Sequence, residues 1–236
     1  MASRFSEVQG DWCWLGRVPF AATASLQERL RLEIAAGHRP ATLLLCEHDP
    51  VITLGRSADA SHVLASEAEL VRAGVKVERA TRGGDVTYHG PGQLVAYPVF
   101  PVRRGVVAHV RSMADAIIAL LAAHGVASAF RRCEPGVWVG QAKVCAFGVH
   151  VHRRVAIHGL ALNVNTDLSA FNLIVPCGLR GSAVTSLSAL TGAQFAPEQI
   201  VGKFIAAASP AFGLELVQVD QSVIANHAHS ELNSDS

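Results

Sequence analysis

The chain has 236 residues, of which half are hydrophobic and 17% are charged, and its formal net charge is +1. This composition predicts a globular protein, excludes an intrinsically disordered chain and gives no overall attraction to nucleic acid. The five cysteines include no CxxC pair, which argues against a disulfide framework and a structural zinc site. There is no signal-peptide pattern, and no apolar run approaches the ~18 residues of a membrane span. We therefore expect a cytoplasmic protein that binds neither a membrane nor nucleic acid.

Helical and strand-like segments alternate along the chain, and the strands outnumber the helices. A capping box from Ser25 to Glu28 predicts a first helix that ends at Gly37, and residues 51–55 are predicted to form a hairpin with 41–48. This pattern favours an α+β fold with a mixed or antiparallel sheet and flanking helices. We expect one domain over residues 1–220 and a flexible tail over 221–236. The other predicted elements are helices over 66–74, 106–124 and from residue 197, and strands over 75–80, 94–99, 128–132, 136–140, 142–152, 154–165 and 214–219.

A glycine-rich stretch, TRGGDVTYHGPGQLVAYP, occupies residues 81–98. Its four glycines and Pro91 break regular structure in the first half, while strand-forming residues fill the second half. The spacing matches neither GxxxxGK[ST] nor GxGxxG, the two phosphate-binding patterns. A phosphate loop, a bulged turn and a binding loop for a slender ligand all remain open at this point.

One cysteine and one lysine have unusual neighbours. Cys177 lies between Pro176 and Gly178 after an apolar run, so its sulfur is a candidate nucleophile presented at a turn. Lys143 lies within an apolar strand, either on an exposed face or as an ammonium that pairs with a thiolate. The remaining cysteines are predicted to be small core residues; they are Cys13, Cys46, Cys133 and Cys145.

The eleven histidines raise the question of a metal site. His150 and His152 form one pair and His227 and His229 another, but neither pair has a third ligand at suitable spacing, and there is no HExxH motif. We predict no metal.

Five motifs, in this order, resemble those of the octanoyl-[acyl-carrier-protein]:protein octanoyltransferases, also called lipoyl (octanoyl) transferases. The resemblance covers about residues 40–190. At Asp85 the family pattern leads us to expect a neutral residue such as Gln, and the stretch after Gly178 matches less clearly. The motifs are EHDPVITLGR (47–56), RGGDVTYHGPGQLVAYP (82–98), GQAKVCAFGV (140–149), HGLALNVN (158–165) and PCG (176–178).

The resemblance implies the fold of the biotin and lipoate protein ligase catalytic domain, which is related to class II aminoacyl-tRNA synthetases. It implies transfer of an octanoyl group from acyl carrier protein to a lysine of a lipoyl domain. Cys177 takes the place of the acyl-thioester nucleophile and Lys143 that of the residue that lowers its pKa. His158 is a candidate orienting residue, and His89 or His158 an alternative base. The positions that line the acyl pocket are Arg82, Gly83, Gly84, Asp85, Val86, Thr87, Tyr88, His89, Ala146, Phe147, Gly148, Gly159, Leu160 and Ala161. On this view, the glycines allow the backbone to lie along the alkyl chain.

The resemblance also implies the partners. These are acyl carrier protein and the lipoyl domains of 2-oxoacid dehydrogenase complexes and the glycine cleavage H protein, which are typically acidic. The acyl donor is carried on the phosphopantetheine of the carrier, and no other cofactor is expected. Of the three arginine pairs, Arg103-Arg104, Arg131-Arg132 and Arg153-Arg154, the last is predicted to dock the carrier. Two alternatives stay open: an ATP-dependent lipoate–protein ligase and a non-catalytic acyl- or carrier-binding module.

Overall fold

The computed structural model describes residues 8–175 and 183–225. These residues form six α-helices and twelve strands. The helices are α1 (Phe20–Ala35), α2 (Glu67–Arg72), α3 (Val106–Ala122), α4 (Leu187–Thr191), α5 (Pro197–Phe212) and α6 (Gln221–Ala225). The strands are β1 (Gln9–Val18), β2 (Ala41–His48), β3 (Val51–Leu54), β4 (Lys76–Arg79), β5 (Val86–His89), β6 (Gln93–Val99), β7 (Ala129–Arg131), β8 (Gly136–Val139), β9 (Ala142–His152), β10 (Val155–Asn163), β11 (Ala183–Val184) and β12 (Glu215–Gln218).

The strands form two sheets. The main sheet has the order β12-β1-β2-β6-β10-β9-β8-β7, with β11 beside β9, and the small sheet has the order β4-β3-β5. Parallel pairs join β1 to β2 and β12, and antiparallel pairs join β2, β6, β10, β9 and β8. The prediction of an α+β fold with a mixed sheet is confirmed.

The main sheet is covered on both faces. On one face α3 and α5 pack against a large apolar cluster that includes Leu94, Leu160 and Leu162. On the other face α1 packs against a second cluster that includes Val95 and Ala161. Burial on both faces explains why all nine residues of β10 are buried and why its sequence is almost continuously apolar.

Two predicted details of the elements are wrong. Helix α1 begins at Phe20 after Pro19, so Ser25 lies inside the helix and caps nothing. Strand β3 is not the hairpin partner of β2, because β1 and β6 already occupy both edges of β2. Instead, β3 pairs with β4 and β5 in the small sheet. The helix predicted from residue 66 is confirmed as α2. Ser66 caps it in a capping box, since its hydroxyl accepts the Glu69 N–H and the Glu69 carboxylate accepts the Ser66 N–H.

The predicted tail begins too early. Helix α6 occupies its first five residues, and Ile224 is buried there because it packs in the α1-side cluster. The Arg29 and Arg39 guanidinium groups donate hydrogen bonds to the carbonyls of Ile224 and Val223. The rest of the predicted tail, 226–236, lies outside the described residues. None of the described helices is both long enough and apolar enough to cross a membrane.

Candidate active site

A cavity of about 440 Å³ lies between the main sheet and the small sheet. It is lined by the glycine-rich stretch, by the middle of β9 and β10, and by Phe20 at the start of α1. Lys143, His158 and most of the predicted pocket positions line it together, so residues from three separate motifs meet at one place. Their part in binding an acyl chain remains a prediction. The predicted pocket positions that line the cavity are Arg82, Gly83, Gly84, Asp85, Thr87, His89, Ala146, Phe147, Gly148, Gly159, Leu160 and Ala161.

Val86 and Tyr88 do not line the cavity. Successive side chains of a strand point to opposite faces, so Thr87 and His89 face the cavity while these two face away. Both join the apolar cluster beneath the small sheet, where the Tyr88 ring meets the Phe171 ring edge-on at 5.6 Å. The prediction of a continuous lining over 82–89 did not allow for this alternation.

Lys143 reaches the cavity because β9 contains a β-bulge. Against β8, Cys145 pairs with Val137 and Lys143 pairs with the next residue, Trp138, so Val144 is an extra residue in β9. Val144 and Cys145 both pack in the cluster on the α3 side of the sheet. Strict alternation from Ala146 would place Lys143 on that same side. The bulge re-aims the side chain toward the cavity, where Lys143 is 8% exposed.

Cys177 lies outside the described residues, within 176–182. The described chain approaches this range at Val175, whose N–H donates to the His62 carbonyl at 2.7 Å. It resumes at β11, which pairs with β9 and places Val184 opposite Lys143. The chain is therefore tied to His62 before this range and to β9 beside Lys143 after it.

Asp85 links the glycine-rich stretch to the segment at His62. Its carboxylate contacts His62 Nδ1 at 2.5 Å and accepts the Asp59 N–H at 3.1 Å. Because His62 also accepts the hydrogen bond from Val175, the cavity wall and the approach to residue 176 are connected through two residues. This contact accounts for the acidic side chain found where we expected a neutral one.

A hydrogen-bonded network runs from His89 to the backbone of Lys143. The Gln93 amide donates to the Asn163 side chain at 2.9 Å, so its oxygen accepts the hydrogen bond from His89 Nδ1 at 2.7 Å. Asn163 in turn donates to the Thr185 carbonyl, and the Thr185 N–H donates to the Lys143 carbonyl at 3.0 Å. His89 is thereby fixed as a structural partner of the loop, with its Nδ1 protonated.

The histidines around Phe20 are kept neutral. Burial, and next the nearby His48, lower the pKa of His89 to about 3. Burial and then the Arg82 guanidinium lower the pKa of His158 to about 3. The His158 ring lies parallel to the Phe20 ring at 6.5 Å, and its Nε2 hydrogen-bonds the Thr81 hydroxyl at 2.8 Å. A group this reluctant to bind a proton is a poor general base, so the geometry favours an orienting part for both histidines.

The low pKa of His158 makes stability depend on pH. The unfolded chain binds a proton at this histidine as the pH falls below the ordinary value of 6.5, whereas the folded chain resists until about 3. Stability is therefore lost progressively over that window. We expect His158→Asn to lessen the loss between pH 7 and pH 4 by up to about 1.4 kcal/mol per pH unit, measured by urea unfolding. Asn tolerates the positive φ of 59° at this position.

The exposed His38 provides the control for this experiment. His38→Asn makes the same replacement at the surface and is measured over the same pH range. If the free energy of unfolding of His158→Asn depended on pH as strongly as that of wild type, the conclusion that His158 is buried in its neutral form would be wrong.

The glycines of the stretch serve two different purposes. A Cβ at Gly83 or Gly84 would meet no atom closer than 3.5 Å, and both residues line the cavity. A Cβ at Gly90 would collide with the Tyr88 side chain, and one at Gly92 with the Asn165 backbone. Neither of these two lines the cavity. The expectation that all four glycines lie along a ligand is therefore wrong for Gly90 and Gly92, which are small because protein atoms occupy the space.

Gly159 is small for a similar reason. A Cβ there would collide with the Ala96 carbonyl oxygen and lie 2.6 Å from Pro98 Cδ. Since backbone of β6 cannot move without disturbing the sheet, we expect Gly159→Ala to lower the free energy of unfolding by about 2 kcal/mol or more. Gly202→Ala is the matched control, because this helical glycine has open space around it. It should stabilise the protein by about 0.5–1 kcal/mol in the same urea titration. Equal effects of both substitutions would refute the packing argument.

Three of the four cysteines predicted to be core residues are buried. They are Cys13, Cys46 and Cys145, and burial is the largest cause that raises the pKa of each thiol. Cys133 is exposed and lines the cavity, so its core assignment is wrong. It follows β7 in the turn to β8. Among the described residues no three His, Cys, Asp or Glu side chains are grouped so that they could hold a metal ion.

The arginine pair chosen for docking lies far from Lys143. Arg153 and Arg154 form the two-residue turn between β9 and β10, about nine strand residues and roughly 30 Å from Lys143. They line a separate cavity of about 890 Å³, together with Arg103-Arg104, and none of the residues that the structure describes lines both cavities. Arg131-Arg132 instead directly precedes Cys133 at the wall of the cavity that holds Lys143.

The sequence from residue 19 to 209 matches the model of the lipoyl protein ligase A/B catalytic domain. The chain belongs to this family. Its relatives include the octanoyltransferase of Chloroflexus aurantiacus, 45% identical over 208 residues that cover 86% of this chain and 93% of the relative. The octanoyltransferase of Solibacter usitatus is 48% identical over 179 residues, which cover 75% and 81% of the two chains.

Solved structures share the fold at low sequence identity. Lipoate-protein ligase A, determined with bound ATP, superposes with a TM-score of 0.73 at 16% identity, covering 92% of this chain and 93% of the ligase. A bipartite lipoate protein ligase of Thermoplasma acidophilum also gives a TM-score of 0.73 at 16% identity, with coverage of 92% and 91%. The lipoate ligase fold expected for this family is thus confirmed.

Proposed function

We propose that this protein transfers an octanoyl group from acyl carrier protein, through a thioester on Cys177, to a lysine of lipoyl domains. Curated relatives more than 40% identical over most of the chain are octanoyltransferases. The observation that carries the proposal is the cavity itself, because it combines a wall of small residues with one buried lysine. That wall consists of Ala146, Gly148, Gly159 and Ala161.

The first half-reaction moves the acyl group onto the enzyme. The Cys177 thiolate attacks the octanoyl thioester carbonyl, the bond from that carbon to the pantetheine sulfur breaks, and the departing thiolate takes a proton from the Lys143 ammonium. Exchange of one thioester for another is nearly isoenergetic. The acyl group therefore stays activated without ATP, and no cofactor other than the carrier's own arm is required.

The second half-reaction forms the amide. Lys143, neutral after the first step, takes the proton from the acceptor ammonium, and the free amine attacks the Cys177 thioester. The new C–N bond replaces the C–S bond, and the amine releases its second proton to water as the Cys177 thiolate leaves. The starting thiolate and the Lys143 ammonium are thereby restored. Lys143 rather than His89 or His158 acts as the base, because both histidines are too weakly basic.

Cys177→Ser is expected to abolish transfer, because a serine hydroxyl beside an ammonium is not ionised at neutral pH whereas a thiol is. The test is the intact mass of the protein after mixing with octanoyl-acyl carrier protein, followed by peptide mapping. Wild type should gain one octanoyl group on Cys177 and the variant none. Cys133→Ser, which removes the thiol that the described residues place in the cavity wall, is the control and should acylate normally.

Other outcomes of that experiment would point to the alternatives. Octanoylation of a lipoyl domain that depends on ATP would support a ligase. Carrier binding without any adduct or transfer would support a non-catalytic binding module. If Cys177→Ser retained most of the transfer rate, the proposed covalent step on Cys177 would be wrong.

The carrier and the acceptor must both reach the mouth of the Lys143 cavity. Since both partners are typically acidic, we assign their attraction to Arg131-Arg132 rather than to the remote turn at Arg153-Arg154. Arg132 is exposed and adjoins Cys133 in the cavity wall. Exposed charges of this kind mainly raise the association rate and are screened by salt.

Arg132→Glu should therefore raise the KM for octanoyl-acyl carrier protein about threefold at low salt, and less at high salt. Turnover of a small octanoyl thioester should stay constant. Arg154→Glu makes the same charge change at the remote cavity and should leave the KM unaltered. A larger effect of Arg154→Glu than of Arg132→Glu would return the docking surface to the β9–β10 turn.

A further inference from the structure

Two cations lie over the indole ring of Trp138. The Lys143 Nζ atom is 4.9 Å from the ring centroid, and the Arg131 Cζ atom is 4.3 Å from it. The face of an indole carries the negative part of its quadrupole, which attracts cations within about 6 Å. Trp138 was not singled out by the sequence, because a tryptophan in an apolar strand predicts only core packing.

The Trp138 ring is itself held firmly. It is 2% exposed, and its Nε1–H donates to the Glu134 carbonyl at 3.2 Å. Arg131, which covers the ring, donates to the Gly140 carbonyl at 2.7 Å and to the Gln141 side chain at 3.0 Å. The ring therefore has one orientation and offers Lys143 a rigid surface.

The aliphatic part of Lys143 is also confined. A Cβ at Gly136 would lie 3.3 Å from both Cδ and Cε of Lys143, tighter than an ordinary contact. The absence of that carbon leaves a channel along β8 for the four-carbon stem. The bulge at Val144 directs the side chain into this channel, and the indole ring lies at its end.

We propose that Trp138 is the positioning residue of Lys143 and holds its ammonium at one point of the cavity wall. The inference rests on the proposed function, in which this ammonium favours the Cys177 thiolate. A flexible lysine that swung away would lose this effect, because the interaction weakens with distance and water screens it. A purely structural Trp138 would affect stability but not the behaviour of Lys143.

The position of Lys143 is measured without reference to Cys177. The chain has only three lysines, and Lys76 and Lys203 are both exposed. Brief labelling with acetic anhydride, followed by peptide mass analysis, reports the reactivity of Lys143 relative to these two internal standards. We expect Trp138→Met, which removes the ring but fills much of its space, to raise this ratio about fivefold.

Two further variants separate the ring from bulk and stability. Trp138→Phe keeps a smaller and weaker π face and should raise the ratio about twofold, less than Trp138→Met does. Trp12→Met removes a half-buried tryptophan of β1 and should leave the ratio unchanged. If Trp138→Met does not fold, Trp138→Phe carries the test alone. A ratio equal to wild type in the folded variant that carries the test would overturn the proposal.

The consequence for Cys177 is measured separately. In Trp138→Met, the midpoint of the pH profile for iodoacetamide alkylation of Cys177 should shift upward by about one pH unit. The kcat should fall about tenfold near pH 7, while the KM for the carrier stays within twofold. Lys143→Met identifies which idea fails. If it leaves alkylation unchanged, Lys143 has no effect on Cys177 and the proposed function is wrong in that step, while the labelling ratio still decides the part played by Trp138.

Discussion

Strand β9 pairs with β8 through a one-residue bulge at Val144, and the rest of the site is arranged around that irregularity. Without the extra residue, Lys143 would point into the apolar cluster beneath α3 and α5, where a charged group has no water and no partner. With the bulge, its side chain enters the cavity and its backbone still accepts the hydrogen bond from Thr185. A local departure from regular pairing therefore supplies the cavity with its lysine.

The network that begins at Lys143 gives the cavity its rigidity. Thr185, Asn163, Gln93 and His89 connect β9, β10, β6 and β5 by side-chain and backbone hydrogen bonds. Each member is fixed by the next, so the orientation of every amide and of the His89 ring is determined. Such fully paired networks specify one arrangement of a buried polar region, whereas a missing partner would leave a costly unpaired group. The small sheet and the main sheet are held together by this means.

The electrostatics of the cavity are simple. Its buried histidines are neutral at physiological pH because burial opposes their protonation, and most of the remaining wall is apolar. The Arg82 guanidinium donates hydrogen bonds to the carbonyl oxygen and the hydroxyl oxygen of Thr53 in the small sheet, at 2.6 and 2.8 Å. A largely apolar cavity with one buried lysine would suit the thioester exchange proposed above, which needs a stabilised thiolate and no phosphate contacts. The same fold accommodates ATP in a lipoate-protein ligase, so chemistry in this architecture depends on the side chains around the pocket.

The sequence by itself determined the fold class, most of the elements and many of the residues that line the cavity. Patterns of apolar residues identified β2, α3, β9 and β10, because the burial of these elements follows directly from their own residues. Three of the motifs contain the residues that meet at the cavity. The sequence patterns could not place β3 in its own sheet, because that placement depends on β1 and β6 occupying the edges of β2.

Only the tertiary structure decided in which direction the side chains of the predicted site residues point. Alternation turned Val86 and Tyr88 away from the cavity, and backbone contacts from other segments, rather than a ligand, account for Gly92 and Gly159. The parts played by Trp138 and Asp85 depend on partners such as Lys143 and His62 that are brought near by folding. The physical reason is the same in each case: a residue's type sets what it is able to do, but its direction and its neighbours come from strand pairing, which single-sequence patterns do not record.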